Sequence, residues 1–81
     1  MAQTNNKDLE YYMNLPYTIR LWSEGVDGWA AEIEELPGCI AAGDTQAETL
    51  DILEGAKELW LTMSLEHGDD IPEPKRSDIT E

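Results

Sequence analysis

The sequence has few of the residues on which several classes of protein depend. Its 81 residues include a single cysteine, Cys39, and a single histidine, His67. One cysteine excludes an intramolecular disulfide framework and a cysteine-rich zinc site. The residues around these two side chains do not suggest a catalytic Cys–His pair. We therefore expect Cys39 to be a small buried group and His67 to interact with the dipole of a helix end.

Long apolar runs are also absent. No segment approaches the roughly 18 apolar residues that a membrane span requires, and residues 1–6 lack the basic start and apolar core of a signal peptide. The chain is 41% hydrophobic and 28% charged, as is ordinary for a globular protein. These features predict one small cytoplasmic domain without membrane contact. We expect that domain to span 7–74, between a flexible N-terminus (1–6) and a flexible tail (75–81).

Basic residues are scarce as well. Five lysines and arginines stand against eighteen acids, which gives a formal net charge of −13. Between Glu24 and Glu73 there are fourteen acids and one base, Lys57. Such a surface repels nucleic acid and anionic lipid and attracts basic proteins and divalent cations. High net charge also serves solubility alone, so composition leaves both interpretations open.

The hydrophobic pattern predicts three strands and a long helix. Alternation over 17–23 and 29–34 indicates two antiparallel strands joined by a loop with two glycines. A turn at 36–39 then leads to a short strand at 40–42, and 7–14 has the spacing of one or two helical turns.

The long helix has clear predicted ends. Thr45 and Glu48 fit a capping box at its start, and Gly68 is a natural C-terminal stop. The row expected to face the sheet is Leu50, Leu53, Ala56, Trp60 and Met63. The row expected to face outward is Asp51, Glu54, Lys57 and Glu58.

These elements predict an α+β fold: an antiparallel three-stranded sheet with one long helix packed on one face. Such a sheet has two edges, and little chain remains to cover them. Uncovered edges favour pairing with another chain. We therefore predict self-association as a homodimer or a dimer of dimers.

Several motifs occur in an order that resembles one known family, the HicB antitoxins. The resemblance covers 7–74 and is carried by Tyr17-Thr18-Ile19, Trp29-Ala30-Ala31-Glu32-Ile33, Glu35-Leu36-Pro37-Gly38-Cys39, Gly43-Asp44-Thr45, Glu58-Leu59-Trp60, His67-Gly68-Asp69 and Ile71-Pro72-Glu73-Pro74. It implies a partial RNase H-like fold. It also implies a partner, a HicA-type toxin, which is a small basic protein that cleaves mRNA and is held inactive by HicB.

Longer members of that family carry a further strand and a C-terminal DNA-binding unit after the segment that ends here at Pro74. Seven residues follow Pro74 in this sequence, and only two of them are basic. A recognition helix cannot be built from them. We therefore expect no DNA-binding domain and no nucleic acid binding through this chain alone.

The candidate partner-binding residues are acids on strands and at helix ends, with one tryptophan that alternates away from the apolar sheet face: Glu32, Glu34, Asp44, Asp69, Asp70 and Trp22. An alternative is a metal-dependent RNase H-like nuclease that uses the acids on the strands and strand ends: Glu32, Glu34, Glu35 and Asp44. A weaker alternative is an orphan adaptor domain that acts through its sheet edges. We assign no catalytic residue, metal ligand or cofactor.

Overall fold

The computed structural model describes residues 7–74, so the expected flexible ends at 1–6 and 75–81 lie outside the described residues. The elements in chain order are α1 (Leu9–Met13), β1 (Ile19–Ser23), β2 (Trp29–Ile33), β3 (Ile40–Gly43) and α2 (Gln46–His67). A 3-10 turn, Gly25–Asp27, lies between β1 and β2.

The three strands form one antiparallel sheet in the order β1-β2-β3. Ile19 pairs with Ile33 at one end, and Trp29 pairs with both Ser23 and Gly43 at the other. Since α2 packs chiefly against β2 and β3 on one face, the predicted α+β fold class is confirmed.

The first strand begins later than expected because of a side chain in the following turn. The backbone N–H of Thr18 donates to Glu35 Oε1 at 2.9 Å, and its hydroxyl donates to Glu35 Oε2 at 2.8 Å. Thr18 is therefore held by the 33–36 turn, and regular pairing starts at Ile19. Leu36 N–H donates to Ile33 O at 3.1 Å, which ends β2 one residue early.

The core lies between the sheet and the two helices. Its buried apolar residues come from every layer: Tyr12, Tyr17, Ala31, Ile33, Leu36, Cys39, Leu53 and Leu61. Cys39 is buried as expected, and burial raises the pKa of its thiol despite the nearby charge of Lys57.

Both predicted ends of α2 are confirmed. Thr45 Oγ1 accepts from the N–H of Glu48 at 3.0 Å, and Glu48 Oε1 accepts from the N–H of Asp44 at 2.8 Å. At the other end Gly68 adopts φ +70°, and the N–H of Asp69 donates to Ser64 O at 2.9 Å. These bonds satisfy backbone groups that every helix end leaves without an intrahelical partner.

The predicted rows of α2 are partly wrong. Lys57, expected on the outer row, is only 8% exposed, whereas Leu50 and Met63, expected inside, are exposed. The buried row is Thr49, Leu53, Lys57, Leu61 and Ser64.

The cause of the Lys57 error is a tertiary contact. Lys57 Nζ donates to Met13 O at 3.0 Å and lies 5.5 Å from the centre of the Tyr17 ring. The C-terminal carbonyl of α1 thus satisfies the ammonium group, while its four-carbon stem packs among apolar atoms.

The segment after α2 returns to α1. Tyr17 Oη donates to Pro72 O at 2.6 Å, while Glu73 accepts from Lys7 Nζ at 3.2 Å and from Tyr11 Oη at 3.3 Å. Ion pairing with Glu73 raises the pKa of Lys7. These contacts fix both ends of the described chain on one side of the domain.

Candidate partner-binding surface

The sheet face opposite α2 is built from alternate residues of the three strands. The register brings together Arg20, Trp22, Ala30, Glu32, Ile40 and Ala42, and Glu34, just after β2, lies on the same side beside Arg20; we call these seven residues the outer sheet face. Successive strand residues point to opposite faces, so burial of the intervening Ala31 and Ile33 against α2 directs this set outward. No other element in residues 7–74 covers it.

Arg20 is the centre of this face. Its guanidinium lies 2.7 Å from Glu32 Oε2 and 3.5 Å from Glu34 Oε2, and its Cζ is 5.4 Å from the centre of the Trp22 ring. All four side chains are therefore in one cluster. The guanidinium compensates one of the two carboxylate charges, so the cluster keeps a net charge of about −1.

Trp22 is half-buried beside Arg20 and belongs to the outer sheet face as expected. Its indole N–H donates to Glu24 Oε2, an acid of the hairpin loop. The indole thus has a polar partner within the chain, while its ring presents apolar area next to the carboxylates of Glu32 and Glu34.

Asp44 lies at a different place, the junction of β3 and α2. The first turn of α2 packs tightly on the end of β3 there, since a Cβ on Gly43 would lie only 2.9 Å from Thr49 Oγ1. Asp44 is four residues beyond Ile40, the partner of Glu32, which corresponds to about 13 Å along the strand. Its side chain is exposed at the helix N-terminus, where a negative charge is favourable.

Asp69 and Asp70 lie at the opposite end of α2. Both are exposed and follow the left-handed Gly68. The 22 residues of α2 span about 33 Å, which separates these acids from Asp44. The six candidate residues therefore fall into three groups. The outer sheet face holds Trp22, Glu32 and Glu34, and one group lies at each end of α2.

Glu35 has a structural role that the sequence did not suggest. Burial would raise the pKa of this carboxyl group, but the two hydrogen bonds from Thr18 prevail and lower it. Glu35 therefore anchors the start of β1 as a carboxylate and is less available to a partner.

Arg20 and Glu24 are members of the surface that sequence reasoning missed. The signal for Arg20 was present, because antiparallel pairing of the two predicted strands places it opposite Glu32. Glu24 contacts Trp22 through the hairpin loop, whose conformation the sequence pattern did not define.

The acids of residues 7–74 do not converge on a common point. No group of three or more His, Cys, Asp or Glu side chains in that part of the chain is placed to hold a metal ion. Glu32 is paired with Arg20, and Asp44 lies beyond the end of β3.

Comparison with known proteins gives a family. The model of the UPF0150-like family matches residues 20–72, which contain β2, β3, α2 and all of β1 except Ile19. The chain belongs to the UPF0150-like family. One curated relative, the UPF0150 protein ssl0259 of Synechocystis sp., is 43% identical over 60 residues, which cover 74% of this chain and 80% of that protein.

No solved structure gives a significant match to this UPF0150-like chain. All six candidate residues lie inside the matched segment: Trp22, Glu32, Glu34, Asp44, Asp69 and Asp70. None of the helices described in residues 7–74 has the length and apolarity needed to cross a bilayer.

Proposed function

We propose that this UPF0150-like chain is a HicB-type antitoxin that binds and neutralises a small basic HicA-type mRNA-cleaving toxin. Two findings support the proposal. The UPF0150 family is related to HicB-like antitoxins, and the motifs that resemble HicB extend over the domain from 7 to 74.

The observation that carries the proposal is that the lysine and arginine side chains of the described residues are either paired with acids or buried. Of the three lysines and arginines in residues 7–74, Lys7 is paired with Glu73, Arg20 is paired with Glu32 and Glu34, and Lys57 is buried. The described surface therefore has no exposed lysine or arginine without an acidic partner. A surface of one sign attracts a partner of the other sign over a distance.

In this proposal the acidic surface occupies the cationic groove with which the toxin binds RNA. Long-range attraction raises the rate of encounter, and apolar area such as the Trp22 ring holds the complex after contact. The outer sheet face is the favoured docking site because it combines Trp22 with Glu32 and Glu34. Asp44, Asp69 and Asp70 extend the attraction to both ends of α2.

The remaining parts of the proposal concern where and how the chain acts. We propose that the chain acts in the cytoplasm by binding and without catalysis, and that it binds neither duplex DNA nor membranes on its own. We also propose that it self-associates as a homodimer or a dimer of dimers.

The test is an RNA cleavage assay with a purified HicA-type toxin. Added chain is expected to stop cleavage at a stoichiometric ratio, and a variant with Glu32→Lys and Glu34→Lys is expected to require a higher concentration. Full cleavage at a large excess of folded chain would contradict the proposal.

A control without toxin separates the nuclease alternative. The chain is incubated with RNA and Mg²⁺ or Mn²⁺, and no cleavage is expected. Metal-dependent cleavage that disappears in Glu32→Gln or Asp44→Asn would overturn the proposal in favour of the nuclease.

A further inference from the structure

The first strand has an outward row of backbone groups, which is set by its hydrogen bonds with β2. Glu34 N–H donates to Thr18 O at 3.0 Å, and Glu24 N–H donates to Gly28 O at 2.7 Å. Hydrogen-bonded and non-hydrogen-bonded pairs alternate along an antiparallel ladder, so the bonded pairs of β1 fall at its even-numbered residues. The N–H and C=O groups of the odd-numbered residues therefore point away from β2: Ile19, Leu21 and Ser23.

These outward groups, which we call the β1 edge, have no hydrogen-bond partner within the described chain. The sheet of residues 7–74 has the order β1-β2-β3, so no strand of that part lies beyond β1. No turn or loop backbone among the same residues bonds to these groups either. A row of unpaired N–H and C=O groups along a strand is a template for pairing with another strand.

The sequence of β1 lacks the features that usually protect an edge strand. Natural edge strands are blocked by proline, by lysine or by a charged side chain that points inward. The strand Ile19–Ser23 contains no proline and no lysine. Its one charged residue, Arg20, belongs to the outer sheet face and lies 2.7 Å from Glu32. The β1 edge is therefore open to the addition of a strand.

The inner face of the sheet is incompletely covered at the β1 edge. α2 lies chiefly over β2 and β3. Ile19 is consequently 50% exposed, although Ile33, its partner on β2, is buried, and Leu21 is only half-buried. A strand added beside β1 would cover both side chains with its own apolar residues on that face. Backbone pairing and apolar burial would thus favour the same occupant.

The acids around the β1 edge determine the charge of the strand that fits it. Glu24 directly follows the last residue of β1, and Glu34 is paired with the residue before its first. An added strand would lie about 10 Å from β2, a distance that a lysine or arginine side chain spans together with the side chain of Glu32 or Glu34. The stem of such a basic side chain would also cover the ring of Trp22. The outer sheet face therefore favours basic residues on an added strand.

A second copy of this chain fits the β1 edge less well than a basic strand. An antiparallel pair of β1 strands would bring Glu24 of each copy beside Glu34 of the other, and a parallel pair would bring identical acids together. Like charges on neighbouring strands are unfavourable, and each copy has a net charge of −13. A strand with basic residues removes both conflicts.

We propose that the β1 edge binds an extended segment of a basic protein partner, which adds a fourth strand to the sheet. That segment carries apolar side chains on the face of Ile19 and Leu21 and basic side chains on the face of Trp22 and Glu32. The inference rests on the proposed function for the identity of the partner, because a HicA-type toxin is a small basic protein. It adds main-chain pairing to the contacts of the outer sheet face.

The direct test is hydrogen exchange of the single amides of β1, measured by NMR on the whole chain with and without a HicA-type toxin. In the free chain the amides of Ile19, Leu21 and Ser23 should exchange fast, and those of Arg20 and Trp22 slowly. Bound toxin should slow the first three by about tenfold or more. Fast exchange that persists in the complex, or slow exchange of the three amides in the free chain, would overturn the proposal.

Two variants with the same added charge separate strand docking from charge attraction alone. Ile19→Glu places a carboxylate against the apolar face of the added strand and should raise the dissociation constant of the toxin complex by about tenfold or more. Val26→Glu is the matched control and should not weaken binding, because Val26 is fully exposed in the hairpin loop. Urea unfolding checks that both variants fold. Tighter binding by folded Ile19→Glu, which charge attraction alone would give, would overturn the proposal.

A synthetic peptide distinguishes failure of this inference from failure of the proposed function. The probe is a short peptide of alternating lysine and valine, and its control alternates glutamate and valine. The lysine peptide should slow exchange of the amides of Ile19, Leu21 and Ser23, and the glutamate peptide should not. This protection without toxin inhibition would overturn the antitoxin function and leave the β1 edge site standing. Toxin inhibition without protection by toxin or peptide would overturn the β1 edge site alone.

Discussion

The two faces of the sheet present opposite environments. On the inner face Ala31 and Ile33 pack against α2 and are almost completely buried. On the outer sheet face Glu32, which lies between them in sequence, pairs with Arg20 and with Ile40, which is 61% exposed. The same three strands therefore supply the core on one face and a free surface on the other.

The two faces also differ in the groups that surround their basic residues. Lys57 on the inner side is held by a single carbonyl, that of Met13, whereas Arg20 on the outer side is surrounded by carboxylates. The inner contact joins α1 to α2 and so concerns stability. The outer contact adjusts the charge that a partner meets. Substitutions on the inner side should thus change unfolding, and those on the outer side should change association.

The largest effect on stability is expected from Leu53→Ala. Leu53 is 1% exposed, and truncation of a buried leucine costs about 2–5 kcal/mol in the free energy of unfolding. Ile40→Ala on the outer sheet face is the matched control and should change this free energy by less than about 0.5 kcal/mol in the monomer. Urea unfolding measures both, and equal losses would refute the contrast between the faces.

Alkaline pH should destabilise the inner side through Tyr17. Burial and the negative charge of Glu73 raise the pKa of Tyr17 to about 12 in the folded chain, from an ordinary value of 10.0. Because the folded chain favours the neutral phenol, this contribution to stability is fully present below pH 10 and is lost as pH rises toward 12.

Urea unfolding between pH 9 and 12 tests this expectation, with Tyr17→Phe as the control. The variant should lose about 1 kcal/mol at neutral pH, because its ring cannot donate to Pro72 O. It should then show a weaker decline at high pH. Parallel declines in the two proteins would assign the effect to other groups.

Lys57→Met should cost about 1–2 kcal/mol in the free energy of unfolding. The variant keeps apolar bulk in the core but leaves Met13 O without its donor at 3.0 Å. Because that bond joins α1 to α2, hydrogen exchange should accelerate more in α1 than in β2. Uniform acceleration across the domain would show that the bond has no local role.

Arg20→Gln should have the smallest effect on stability, within about 0.5 kcal/mol, since its ion pairs are exposed. The same change releases Glu32 and Glu34 and makes the net charge more negative. Association with a basic toxin should therefore become faster, as stopped-flow fluorescence would report. A slower association would mean that Arg20 itself contacts the partner.

Local chemistry explains what the sequence could predict. Thr45 and Gly68 define the ends of α2 through bonds to neighbouring backbone groups, and alternation defines which strand residues face inward. The UPF0150-like match over 20–72 is also consistent with the motifs noted in that stretch. Such features depend on residues that are close in sequence.

The errors arise where distant residues meet. Apolar side chains occur on several sides of α2, so the pattern alone does not determine which row faces the sheet, and Leu50 and Met63 of the predicted inner row are exposed. The position of Lys57 depends on a carbonyl 44 residues away. The dispersal of Asp44, Asp69 and Asp70 to opposite ends of a 22-residue helix likewise required the fold.

The most direct test of the central claim is the association rate of this chain with a HicA-type toxin as salt is added. We predict a steep decrease, because attraction between exposed charges is screened beyond about 8 Å at physiological ionic strength. Combined Glu32→Lys and Glu34→Lys should lower the on-rate more than it raises the off-rate. The control, Glu54→Lys with Glu58→Lys on α2, makes the same change in net charge and should slow association less. An on-rate indifferent to salt, with the Glu32/Glu34 variant still neutralising the toxin in cells, would contradict the account.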